Sequence, residues 1–86
     1  MPYIDESTRA YMQKPTLELA QAICTKADLC YAVAVLMRAY TEQFDKPNWS
    51  AMSDAVAAVE CAKLDFYAMV VQPYEEKKRK ENGDVP

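Results

Sequence analysis

Apolar residues recur at steps of three and four along most of this chain, and only proline divides the pattern. From Pro15 to Pro47, and again from Pro47 to Pro73, neither glycine nor proline intervenes, and alanine, leucine, methionine, glutamate and lysine are frequent in both intervals. These residues favour helix. In the first interval the stripe reads Leu19, Ile23, Ala27, Cys30 or Tyr31, Ala34, Met37, Tyr40 or Thr41, and Phe44, which is helical spacing. It predicts a helix over about 16–44, with Thr16 as N-cap and Glu18 favouring the helix dipole. The alternation Tyr31, Val33, Val35, Met37 fits a strand as well, but no turn signal brackets it and the helical pattern runs through it. Asp45-Lys46-Pro47-Asn48 is a short connection, so the next helix should return antiparallel. That second helix is predicted over about 49–72, capped by Asn48 or Ser50, and interrupted at Pro73, which lacks an N–H and crowds the preceding turn. Helix resumes through YEEKKRKE to about 81 and stops at Asn82-Gly83. A short helix over about 5–13 precedes the first. The expected fold is a single all-α domain over residues 1–86, an antiparallel helical hairpin with a short N-terminal helix.

The two long helices carry more apolar surface than one hairpin can cover. LCYAVAVLM, residues 29–37, is apolar on every side, yet it is too short to cross a bilayer, which takes about 20 such residues. At about 100° per residue, Val56, Val59, Ala62, Phe66, Met69 and Val70 share one broad face of the second helix. Cys61, Leu64, Ala68 and Val71 share another. A contiguous apolar patch of that kind marks an interface. A homo-oligomeric bundle is therefore expected, with the chain itself as first partner.

Composition narrows the chemistry. A chain of 86 residues has little margin for a self-sufficient core. It has no histidine, which removes His-based general bases, Cys-His nucleophile pairs and most zinc sites. Cys24, Cys30 and Cys61 are odd in number and form no CxxC pair, so they are expected to be reduced and buried as small hydrophobes. MPYIDESTR has neither the basic start nor the apolar core of a secretion signal, and a cytoplasmic location in a bacterial host is expected. The net charge of −3 gives no field that favours nucleic acid. No membrane partner, metal or cofactor is expected.

Several polar residues leave two readings open. Arg38 is the sole charge between Asp28 and Glu42. It bridges to Asp54 at the edge of the core, or it binds an anion inside an oligomer cleft. Lys63 has the same two readings with Asp28, and it also lies three residues from Glu60. Asp28, Glu60 and Asp65 invite a metal reading, but Glu18 is followed three later by Gln21 and Glu60 by Lys63. The ExxE pairs of all-α nucleotide pyrophosphohydrolases are missing, so an enzyme is not expected. In the tail, Glu75 with Arg79 and Glu76 with Lys80 have the favourable i,i+4 order, and a solvated helix end is expected. Tyrosine is abundant, at six residues. Tyr3, Tyr11 and Tyr74 lie near Arg9, Lys14 and Lys77. A tyrosine beside a cation suits a base and its phosphate, and it equally suits an interface.

MPYI, DLCYAV, AVECAKLDFYAMVVQPYEEKK and NGDV together resemble a group of small uncharacterised phage and bacterial proteins, a domain of unknown function. The pattern of that group is MPYI, a G-E-L-N-Y-like stretch, A-L-E-C-A-K-L-E-F-Y, A-P-Y-E and a closing N-G-D-V. Here Ala27-Asp28-Leu29-Cys30-Tyr31 occupies the G-E-L-N-Y position, with Cys30 in place of asparagine. The resemblance implies no particular activity. In size and helix layout the chain is also similar to phage sponge proteins, oligomeric helical hairpins that sequester cyclic nucleotide signals between subunits. That likeness implies a non-enzymatic protein that holds a small anionic, nucleotide-like ligand, with Arg9, Tyr11, Arg38, Lys63, Tyr67 and Tyr74 as candidate ligand-binding residues. The other expectation is an adaptor or inhibitor whose apolar surface docks on a host or phage protein.

Overall fold

A computed structural model of the chain describes residues 4–44, 46 and 48–83. Tyr3, most of the MPYI start, Asp45 and Pro47 of the expected connection, and the last residues of NGDV lie outside them. Among the described residues there are three helical segments and no strand. They are α1 (Glu6–Ala22), α2 (Lys26–Glu42), and a third that runs as α3 (Trp49–Phe66), a π turn (Tyr67–Val71) and α4 (Gln72–Asn82). The chain divides into two compact units, Tyr3–Val56 and Ala57–Pro86 with Met1–Pro2.

In the first unit the break between helices falls at Ile23–Thr25, where a helix over 16–44 was expected to continue. Asp5 starts α1 well upstream of Thr16. Its Oδ1 accepts from the Thr8 N–H at 2.8 Å and from the Ser7 hydroxyl at 3.0 Å, which satisfies one of the orphan donors of a helix start. From there α1 runs through Pro15 to Ala22. Proline cannot donate to the Tyr11 carbonyl, but its fixed φ is helical, so the helix tolerates it at a cost. The chain turns extended at Ile23, whose N–H reaches the Ala20 carbonyl at 3.1 Å.

What restarts the helix is a capping box. Thr25 Oγ1 accepts from the Asp28 N–H at 3.1 Å. Asp28 Oδ2 in turn accepts from the Thr25 N–H at 3.2 Å and the Cys24 N–H at 2.9 Å. Three backbone donors are satisfied by two side chains, and continuing α1 would forfeit all three bonds. At its other end α2 closes with a Tyr40–Phe44 edge-to-face pair, with ring centroids 5.6 Å apart. Asn48 then caps α3, accepting from the Ala51 N–H at 2.6 Å, which selects it over Ser50.

Among the described residues the buried hydrophobic side chains are Ala32, Ala51 and Ala55. Ile23, Val33, Met37 and Thr41 are half-buried. The protected stripe of α2 therefore runs Val33, Met37, Thr41 rather than Tyr31, Ala34, Met37. A new helix starts at Lys26 with its own phase, so the continuous stripe from Leu19 is cut.

The described part of the second unit is one helical rod. Pro73 has no N–H to give the Met69 carbonyl and its ring crowds that turn. Helix geometry widens just before it: the Gln72 N–H bonds to the Tyr67 carbonyl, five residues back. Such a turn holds one residue more than an α turn. The interruption expected at Pro73 thus takes the form of a wide turn over Tyr67–Val71. The rod ends where the Gly83 N–H meets the Arg79 carbonyl at 2.7 Å. Gly83 has φ +83°, a left-handed setting that glycine adopts without strain.

Candidate ligand and interaction site

Arg38 lies at one end of a shallow groove of about 300 Å³ on α2, lined by Tyr31, Ala34, Val35 and Arg38. Their spacing of three, four and seven stacks them on one helix face. Tyr31 is 73% exposed, so its ring is available, and no carboxylate lines the groove. The expected Arg38–Asp54 bridge is a correction: among the described residues no ion pair joins them. Both side chains are exposed, and in water such a pair gains little for holding two long side chains in one geometry. Tyr31 is the residue that sequence reading passed over. Its distance of seven from Arg38, two turns on the same face, was the available signal.

Arg9 and Tyr11 are both exposed on α1. Two residues apart, they point about 200° away from each other. Lys14, the cation expected beside Tyr11, lines a second groove of about 390 Å³ with Ala10, Gln13, Leu17, Glu18 and Gln21. Neither Arg9 nor Tyr11 lines either of these two grooves, and Glu18 makes the second one mixed in charge.

In the second unit two of the three candidates, Lys63 and Tyr74, have partners within their own helix. Lys63 Nζ pairs with Glu60 Oε1 at 3.2 Å, the simpler of the readings considered for it. Tyr67 opens the π turn and is exposed. Tyr74 carries the Lys78 ammonium over its ring at 5.6 Å, where Lys77 was expected. A residue four on lies about 40° from the same face and one three on about 60°, so Lys78 is the better placed. Lys78 also pairs with Glu81 at 3.4 Å, which ties down part of the basic tail.

Asp28 serves its helix. The Cys24 N–H, the Thr25 hydroxyl and the Thr25 N–H hold its carboxyl below the usual aspartate range. Asp5 is lowered likewise, by the Thr8 backbone first, then by the side chains of Thr8 and Ser7. The cysteines correct another expectation. Cys24 and Cys30 are exposed, Cys61 is half-buried, and all three are free. Cys24 sits in the break between α1 and α2, and Cys30 lies near the start of α2, in line with the protected stripe but exposed. Among the described residues, no three His, Cys, Asp or Glu side chains are grouped to hold a metal ion. No helix among them is long and apolar enough to cross a membrane.

What emerges is an all-helical protein with alanines inside and most of its large apolar side chains at the surface. Residues 1–85 match a domain of unknown function, DUF6899, and the chain belongs to that family. No curated protein and no solved structure matches it.

Proposed function

We propose that this chain is a non-enzymatic binding protein that works as an assembly of its own copies and holds a small anionic, nucleotide-like ligand at the Arg38 groove. One observation carries the reading: an exposed tyrosine ring and a guanidinium lie on one face, two turns apart, with only Ala34 and Val35 beside them and no lining carboxylate. A base stacks on such a ring, and arginine presents a planar fork to phosphate or carboxylate. A groove this open is too shallow alone, so a neighbouring copy would wall it. In the sharpest form of the proposal the ligand is a cyclic nucleotide signal and the chain is a phage sponge acting in a bacterial cytoplasm.

Thermal unfolding with a panel of cyclic and linear nucleotides, at fixed protein concentration, tests it. A ligand at 100 times its Kd that binds only the folded state adds about 2.7 kcal/mol. The expected result is a stabilising shift that Arg38→Ala abolishes while the variant keeps its helicity. No shift at millimolar nucleotide refutes the ligand.

A second reading rests on Trp49, which is 79% exposed at the start of α3. Met52 and Val56, also exposed, follow at helical spacing. An apolar ridge led by tryptophan is the kind of anchor that dominates protein interfaces. This adaptor reading expects a specific host or phage protein to be retained by the native chain and lost with Trp49→Ala.

A further inference from the structure

We draw no further inference here: the strongest candidate, the exposed apolar ridge of Trp49, Met52 and Val56 at the start of α3, carries nothing beyond the adaptor reading above because nothing in the structure shows what covers it.

Discussion

The break between α1 and α2 makes a sharp prediction at two threonines. Thr25 caps α2, and its hydroxyl is the acceptor for the Asp28 N–H at 3.1 Å. Thr16 lies in the interior of α1, one residue past Pro15, with no capping role. Removing a threonine cap costs about 1 kcal/mol, within a range of roughly 0.5–2. For a domain of 60–100 residues that lowers Tm by about 4–8 °C. Thr25→Ala should therefore lower Tm by several degrees, and Thr25→Ser should restore most of the loss. Thr16→Ala should do the reverse, adding up to about 0.7 kcal/mol, because alanine is the better former in a helix interior. Thermal unfolding followed by circular dichroism, at one protein concentration so that association does not shift Tm, gives both numbers. If Thr16→Ala destabilises and Thr25→Ala does not, the chain restarts its helix after Pro15 and the capping box is not what divides it.

Acid should loosen both helix starts. Asp5 and Asp28 have folded pKa values below their unfolded ones because backbone N–H groups bond their carboxylates. Their stabilisation is complete above the unfolded value of about 3.9 and is lost as pH falls through the lower folded value. Helicity followed downward from pH 5 should show this limb, and the pair Asp5→Asn with Asp28→Asn should flatten it. Pro15→Ala should stabilise by up to the roughly 3 kcal/mol that an interior proline costs. Pro73→Ala should gain less, because the wide turn already relieves its clash; equal gains in Tm would refute that account of the π turn. In the folded protein a thiol reagent should label Cys24 and Cys30 quickly and Cys61 more slowly, and three equal rates would contradict the observed exposure.

Helix was legible because little else is possible: the sole glycine is Gly83, and good helix formers fill both long intervals. Boundaries were harder, since two signals of unequal worth competed. Pro15 reads as a stop, yet its ring fits helical φ. Thr25-Lys26-Ala27-Asp28 is the stronger punctuation, because a capping box satisfies donors that a continuing helix would bond differently. Its four-residue signature was visible and was overlooked within an apolar stripe. Pro73 was readable as an interruption, but the type of turn depends on how the preceding carbonyls find donors, which spacing alone does not encode. The same holds for the candidate site. Six residues chosen by chemistry were scattered over three helical segments, while Tyr31, chosen by none of those rules, shares a groove with Arg38. Polar type suggested the ligand class, but helical phase decides which side chains can meet it, and the break at Thr25 reset that phase.

The wide turn before Pro73 also bears on how this family can vary in length. A π turn is an α turn with one residue to spare, so losing any one of Tyr67–Val71 would let the backbone relax to ordinary α geometry. Everything downstream would keep its azimuth, and Tyr74 would still fall in line with Phe66. Anywhere else along the rod, a one-residue deletion would swing the tail by about 100° and scatter that alignment. Relatives shorter by a single residue should therefore have their gap at this spot.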